Sequence, residues 1–288
     1  MFQRHNILLE VIPFRPSYHS GDEIYDFVIE ILEKWDININ NVHVFVHDIA
    51  ANMGKAFHHQ SFESVSCTSH TLQLAINDVL IKEKQHDALC KKVRSVVGHF
   101  KHSIRANKLL KKCQSENRIP AHKFIQDVYT RWNSTFLMLN RFLEQKKSVL
   151  GLAPFINLNV TFSINDFTMV KELVKILEIF HSAILTLSKE NSTLSEVIPL
   201  LRSIFVPLET IKDVSTTCSE TANAFILKLK NQFIDFETKE LLTISTLLDP
   251  RFKDKVFSCA DIAQQGRNSL LNKLKFVYPV ICQTVANT

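Results

Sequence analysis

Apolar residues recur at helical spacing almost without interruption from His70 onward, and this periodicity constrains the fold more than any other feature of the chain. Strands would show a period of two residues, whereas this pattern repeats every three to four. The 288 residues contain only 5 glycines and 8 prolines, too few turn residues for a many-stranded β fold. We therefore predict a mostly α chain, with roughly six to eight helices after His70. The periodicity breaks at residues 115–123 and 151–165 and near Asn191, Thr216 and Asp249.

The first part of the chain differs, because strand-like and helix-like patterns alternate in it. The apolar run at residues 6–13 predicts a strand, and residues 42–46 predict a second, buried strand. Between them, residues 23–35 predict an amphipathic helix capped by Asp22. This order predicts a parallel pair of strands, and ligands gather at the carboxyl ends of such strands. The mostly α chain thus has a small α/β part, with a domain boundary near residue 80.

Composition narrows the class of partner and the cellular compartment. The formal net charge of +5 suits a nucleic-acid partner without requiring one. Six cysteines lie far apart without a CxxC pair, which predicts reduced thiols inside a cell. No apolar run approaches the roughly 20 residues of a membrane span, so we expect no membrane partner.

Asp48 follows the second predicted strand and precedes a helical pattern, a position that exposes a carboxylate. A two-metal nuclease or transferase needs several carboxylates around its ions, and no other acid of this sequence stands in a recognisable partner position. Asp48 is therefore a catalytic candidate that lacks partners. The alternative is a turn or N-cap residue.

Cys67 and His70 are one helical turn apart, so both side chains can face the same point. A structural zinc site needs four ligands, and no second pair has compatible spacing. We expect no metal here. The alternative to a functional motif is a thiol and an imidazole that pack the following helix.

A run of eight basic residues without an acid extends from Lys91 to Lys112. On one continuous helix, five of them would form a stripe, a quarter-turn from the apolar side. Such a stripe can neutralise phosphates, which predicts salt-dependent, sequence-independent nucleic-acid binding. A solvated charged face is the alternative. The five residues of the stripe are Arg94, Lys101, Arg105, Lys108 and Lys112.

Four stretches of this sequence resemble, in order, motifs of the hAT-superfamily transposases and of their BED zinc-finger relatives. They are VHDIAANMGKA from Val46, CTSHTLQL from Cys67, TRWNSTFLMLNRFLEQ from Thr130 and LLDPRFK from Leu247. The resemblance implies a truncated RNase H-like half-domain at residues 1–80 and a large helical insertion domain at residues 81–288. The family's BED zinc finger has no counterpart in this sequence.

The same resemblance implies roles for individual residues. Asp48 corresponds to the second aspartate of an RNase H-like triad, and Cys67 and His70 correspond to the accompanying Cys-x-x-His motif. We find no first or third acid, so we expect Asp48 to be an inactive remnant. Mg²⁺ or Mn²⁺ would be a cofactor only if further sequence completed the triad, and no other cofactor is expected.

Arg131 and Trp132 open the third of these stretches. A guanidinium can hold a phosphate and an indole can stack on an unpaired base, so both residues are nucleic-acid-binding candidates. In the family that the chain resembles, the tryptophan is implied to support a flipped base. The alternative for Trp132 is burial against the helix that it opens.

These observations together predict a catalytically inactive, transposase-derived nuclear protein that binds DNA without sequence preference. Two other functions remain open. One is a fragment of an active, metal-dependent DNA transposase, and the other is a helical protein-interaction scaffold. Apolar helix faces and unpaired strand edges also predict a homo-oligomer.

Overall fold

The structure is a computed structural model that describes residues 5–13, 19–58, 63–128, 131–214 and 218–277. It is mostly helical, as the periodicity predicts, with one two-stranded sheet in the described ranges. Contacts divide the chain into two compact units, Met1–Leu72 and Gln73–Thr288. The division falls at residue 72, whereas the sequence placed a boundary near residue 80.

Two helices of the first unit, α1 (Gly21–Lys34) and α2 (Ala51–His58), pack against each other. α1 begins at a capping box in which Ser20 Oγ accepts from Glu23 N at 3.2 Å and the Glu23 carboxylate accepts from Ser20 N at 3.1 Å. Ser20, not Asp22, is therefore the cap, because its side chain reaches the free amides of the first turn. Asp22 instead pairs with Lys55 of α2 at 2.7 Å.

The sheet of this unit consists of β1 (Phe45–His47) and β2 (Ser64–Ser66), which pair in parallel with α2 between them in sequence. The rings of Phe45 and His47 stack on Phe57 of α2, at centroid distances of 4.7 and 5.2 Å. Asp48 directly follows β1, as predicted. The strand is less buried than its sequence suggests, since Val46 is 58% exposed.

The predicted strand at residues 6–13 is wrong. These residues have no regular secondary structure, and Ile7, Leu8 and Val11 are all more than three-quarters exposed. An isolated extended segment needs a neighbouring strand to satisfy its backbone groups, and β1 pairs with β2 instead. A parallel pair of strands was thus predicted correctly, but β1 pairs with β2 and not with residues 6–13.

From α3 onward the described ranges contain ten α-helices, more than the six to eight predicted. α8 is central, because it packs against α6, α9 and α10 and buries apolar residues along most of its length. The helices are α3 (Thr68–Lys82), α4 (Lys84–His102), α5 (Ile104–Glu116), α6 (Trp132–Glu144), α7 (Lys146–Leu152), α8 (Ile164–Leu187), α9 (Val197–Asp213), α10 (Cys218–Gln232), α11 (Glu240–Leu248) and α12 (Ala260–Val277).

Two of the additional helix boundaries occur without glycine or proline, at Ser103 and Gln145. The Ser103 side chain caps the following helix, and the Gln145 backbone leaves helical geometry with φ −90° and ψ 12°. Apolar periodicity registers neither change. The predicted breaks at residues 115–123 and 151–165 and near Asn191 and Asp249 correspond to helix ends. The break near Thr216 lies outside the described residues.

Two expectations from composition can be compared with the structure. Among the described residues, Cys67, Cys90, Cys113 and Cys259 are free thiols, as predicted, and Cys282 lies outside the described ranges. Among the helices that the structure describes, none combines the length and the hydropathy needed to cross a membrane.

Candidate nucleic-acid interface

The basic run does not form one helix, because Ser103 divides it between α4 and α5. Ser103 has an extended backbone, and its Oγ accepts from Ala106 N at 3.1 Å as the N-cap of α5. Asn107 donates to the carbonyl oxygens of Phe100 and Ser103, which secures the bend. The single basic stripe predicted from the helical wheel is therefore wrong. Ile104, the first residue of α5, is 77% exposed, so the apolar side of α4 does not continue across Ser103.

The first three cations of the run are paired with acids from elsewhere in the chain. Lys91 pairs with Asp87 at 2.7 Å, Lys92 with Asp166 at 3.1 Å and Arg94 with Asp127 at 2.8 Å. Two of these acids are remote in sequence, so the sequence alone did not show that they neutralise cations of the run. Arg94 was predicted to bind nucleic acid; it is half-buried, and its guanidinium pairs with the buried carboxylate of Asp127.

Four of the later cations of the run have no such partner among the described residues. Lys101, Arg105, Lys108 and Lys111 are exposed, and none forms an ion pair with an acid of the described ranges. Lys112 is also exposed and lies 3.8 Å from Glu116, an exposed pair that contributes little. The α5 basic face, as we name it, consists of Arg105, Lys108 and Lys112, which share one side of α5 through their i, i+3 and i+7 spacing.

The described part of the segment between α5 and α6, residues 117–128, which we call the linker, is fastened to this region by a buried aspartate. Asp127 has a side chain that is only 2% exposed. Its Oδ2 accepts from Arg94 Nε at 2.8 Å and from Thr135 Oγ1 at 3.1 Å. Because one carboxylate joins α4, α6 and the linker, its position fixes the path of the chain between the two helices.

A pair of buried glutamines fastens the same linker at its other end. Gln114 of α5 donates to the carbonyl oxygen of His122 at 2.8 Å and to Gln145 Oε1 at 2.9 Å. Gln145 in turn donates to the carbonyl oxygen of Pro120 at 3.0 Å. Residues 123–126 therefore lie between two buried anchor points, which holds them in place beside α4 and α5.

These anchored residues close a cavity of about 440 Å³, which we call the α4–α5 cleft. The ring of Phe124 packs on Phe100 at a centroid distance of 4.8 Å. Of the described residues, three exposed lysines and no acid line the cleft. Sequence reasoning found one of these lysines but not the other two, because only the bend and the linker bring them together. The lining includes Lys101, Asn107, Lys111, Lys123, Phe124 and Gln126.

The two other nucleic-acid candidates, Arg131 and Trp132, are placed differently. Arg131 is exposed and occupies the N-cap position of α6. Trp132 is 2% exposed, so its ring is part of the core and presents no face for base stacking. Burial of a large aromatic ring at the start of a helix stabilises the fold more than exposure of that ring to solvent would. Stacking by Trp132 is therefore not supported, and burial is confirmed.

Polar residues after this tryptophan fasten α6 to its neighbours. Asn133 Oδ1 lies 2.6 Å from His181 Nδ1 of α8, and Thr135 donates to Asp127. Ser134 Oγ accepts from Val128 N at 2.7 Å. The RWNST portion of the motif thus has a structural role that its sequence did not reveal. Thr130, which precedes it, lies outside the described residues.

Two residues of the first two motifs, Asp48 and Cys67, lie at the carboxyl ends of the two strands of the sheet. Asp48 follows β1 and Cys67 follows β2, and Cys67 N donates to the His47 carbonyl oxygen at 2.6 Å. Asp48 is exposed, and its Oδ1 accepts from Ala50 N at 3.0 Å, a turn that leads into α2. Cys67 and His70 are half-buried at the start of α3. Across the described ranges, no three His, Cys, Asp or Glu side chains are grouped to hold a metal ion.

The last motif forms an ion-pair cluster at the end of α11. Asp249 accepts from Arg251 Nη2 at 2.7 Å and from Ser195 Oγ at 2.6 Å, while Arg251 Nη1 donates to Glu196 at 2.9 Å. The hydrogen bonds from Arg251 hold the pKa of Asp249 well below its usual range. The cluster joins the turn after α11 to the start of α9.

A family model supports this description of the helical region. Residues 65–176 match the family described as the ZBED1 RNase-like helical domain. The matched segment contains α5, the linker and the α4–α5 cleft.

Curated relatives extend the similarity over most of the chain. The human zinc finger BED domain-containing protein 4 is 27% identical over 79% of this chain and 19% of its own length. The human zinc finger BED domain-containing protein 6 is 28% identical over 77% of this chain and 23% of its own length. A putative AC transposase of Zea mays is 30% identical over 46% of this chain and 18% of its own length. The chain therefore spans about a fifth of the length of these relatives, and the resemblance drawn from the four motifs is confirmed.

Proposed function

We propose that the helical unit of this chain binds DNA through the backbone phosphates. The chain is related to zinc finger BED domain-containing proteins and to hAT-type transposases, and this relation supports a DNA partner. The proposed contacts are the α5 basic face and the lysines of the α4–α5 cleft. The binding is independent of sequence, because cations on phosphates carry no information about the bases.

The observation that carries this proposal is the uneven pairing of the basic run. Acids outside the run, two of them from other elements, neutralise its first three cations, whereas Lys101, Arg105, Lys108 and Lys111 remain exposed without a described acidic partner. A helix face with several uncompensated cations creates a local positive potential that the net charge alone does not reveal. Phosphates of a duplex are the partners that such a face attracts, through release of their counterions.

The test is the salt dependence of binding to a fluorescent blunt 20-base-pair duplex, measured by anisotropy at several salt concentrations. Neutralising the α5 basic face with Arg105→Gln, Lys108→Gln and Lys112→Gln should weaken binding at every concentration. It should also reduce the slope of log K against log salt by about 3, roughly one for each lost phosphate contact. A scrambled duplex of the same length should give the same affinities.

A matched control removes the same charge elsewhere. Lys147, Lys239 and Lys255 are exposed and lie outside the α5 basic face and the cleft, so Lys147→Gln, Lys239→Gln and Lys255→Gln lower the net charge equally. This triple variant should keep nearly the original slope. Equal slopes for both triple variants would refute the proposed interface, since net charge alone would then explain the binding.

We also propose that this chain alone does not cut DNA and that its first unit is a remnant of an RNase H-like domain. The support is that the Asp48 carboxylate accepts from Ala50 N and thereby forms a turn. A supercoiled plasmid incubated with the chain and Mg²⁺ or Mn²⁺ should stay uncut. Nicking that Asp48→Ala abolishes would instead establish an active transposase fragment.

Two further parts of the proposal concern the cell and the assembly. A DNA-binding role implies a nuclear location, which imaging of a fluorescently tagged chain tests. The homo-oligomer predicted from the sequence remains a prediction, and light scattering on the purified chain would measure its mass.

A further inference from the structure

The α4–α5 cleft has features that backbone binding alone does not require. Three lysines from three different segments, Lys101 on α4, Lys111 on α5 and Lys123 on the linker, line one cavity. Like charges brought together in this way repel each other, and a bound anion relieves that repulsion. A protein surface that only tracks a duplex would need no such concave arrangement.

The cleft also contains an aromatic ring. Phe124 is half-buried and packs against Phe100, which is 1% exposed and fixes it from behind. An aromatic ring held in this way beside cations offers an apolar surface on which a base can stack. The bases of an intact duplex are stacked on one another, so only an unpaired nucleotide can use it.

The size and rigidity of the cleft fit the same ligand. Its volume of about 440 Å³ lies within the range of small-molecule sites, which begins at roughly 300 Å³. The linker side of the cleft is held on both sides by buried hydrogen bonds, through Asp127 and through Gln114. Binding therefore does not have to order the linker first, which lowers its entropic cost.

We propose that the α4–α5 cleft binds one unpaired nucleotide of a DNA strand, with its phosphate held by Lys101, Lys111 and Lys123 and its base against Phe124. This inference rests on the proposed function and specifies the substrate: DNA with a single-stranded end or gap. Asn107 and Gln126 are uncharged polar residues of the cleft, and the amide nitrogens of both already donate to acceptors of the protein itself.

The test compares a blunt duplex with the same duplex carrying a four-nucleotide single-stranded end. The intact chain should bind the overhang about tenfold more tightly, the gain expected for one stacked base. Phe124→Leu keeps an apolar side chain on Phe100 but removes the ring, so the ratio of the two affinities should fall to about one. Phe124→Trp, a second variant, restores a ring and should restore the preference.

Phe155→Leu is the matched control, because Phe155 is 65% exposed and does not line the cleft. It should leave the tenfold ratio intact. A ratio of one for the intact chain, or an unchanged ratio in Phe124→Leu, would overturn the inference. Failure of the proposed function is read separately, from blunt-duplex binding in the α5 basic face variants.

Competition separates a nucleotide from a bare anion. Adenosine monophosphate should displace the overhang duplex at a concentration at least several-fold lower than inorganic phosphate does, since only the nucleotide carries a base. Equal potency of the two competitors would show that the ring contributes nothing, and it would overturn the inference.

Discussion

Asp48 and Asp127 both lie close before a helix in a polar part of the sequence, but the structure uses them in different ways. Asp48 is exposed, and the bond that fixes its carboxylate is a local one to Ala50 N. Asp127 is buried and joins two helices to the linker through Arg94 and Thr135. The aspartate in the more conspicuous motif thus has the smaller structural role. Burial and a remote ionic partner, not motif context, determine how much an acid stabilises the fold.

The largest effect is expected from Asp127→Ala. Removing one member of a buried ion pair leaves Arg94 and Thr135 without their acceptor, and such changes cost about 3 kcal/mol or more. Urea unfolding followed by circular dichroism should show this loss. The linker should also become sensitive to limited proteolysis near Lys123.

The control for this change is Asp254→Ala. Asp254 pairs with Arg267 at 2.7 Å, but both side chains are at least 40% exposed. Solvent screening leaves such a pair worth about 0.5 kcal/mol or less. A similar loss of unfolding free energy in both variants would contradict this expectation, because burial would then not determine how much each aspartate stabilises the fold.

Asp249→Asn tests an acid of intermediate burial, with a side chain that is 12% exposed. Loss of a charge-assisted cluster should cost about 1.5 kcal/mol at pH 7. Because folding depresses the pKa of Asp249, the wild-type advantage is present above the unfolded pKa of about 3.9 and is lost as the pH falls below it. The difference between the two proteins should therefore narrow from pH 7 to pH 3. A difference in unfolding free energy that stays constant with pH would contradict a stabilising role for the ionised Asp249 carboxylate.

A smaller effect than that of Asp249→Asn is expected from Asp48→Ala. The change removes one exposed hydrogen bond at a turn and should cost about 0.5–1 kcal/mol. Asp48→Asn retains the acceptor and should cost less. A loss as large as that of Asp127→Ala would reverse the comparison and would point to contacts of Asp48 beyond the turn.

Sequence reasoning predicted the parts of the fold that depend on local periodicity. It found the helical character, α1, the strand before Asp48 and four of the breaks between helices, because apolar spacing and helix breakers are visible within a short window. It missed β2 and assigned strand character to residues 6–13, because strand pairing depends on residues far apart in the chain. Ser103 and Gln145 escaped notice because neither residue is a strong helix breaker.

The candidate interface was predictable only in part for the same reason. The basic composition of α5 is visible in the sequence, whereas the acids that neutralise Lys92 and Arg94 are 74 and 33 residues away. The contribution of Lys123 and Phe124 depends on how the linker is fastened. The burial of Trp132 depends on packing, which a motif does not specify.

The most direct test of the interface is lysine footprinting. Each lysine is acetylated in the presence and absence of saturating blunt duplex, and mass spectrometry measures the rate at each position. If DNA binds at the proposed interface, we expect slower acetylation at Lys101, Lys108, Lys111, Lys112 and Lys123. The rates at Lys147, Lys239 and Lys255 should not change. Equal protection of both groups, or protection of the second group alone, would contradict it.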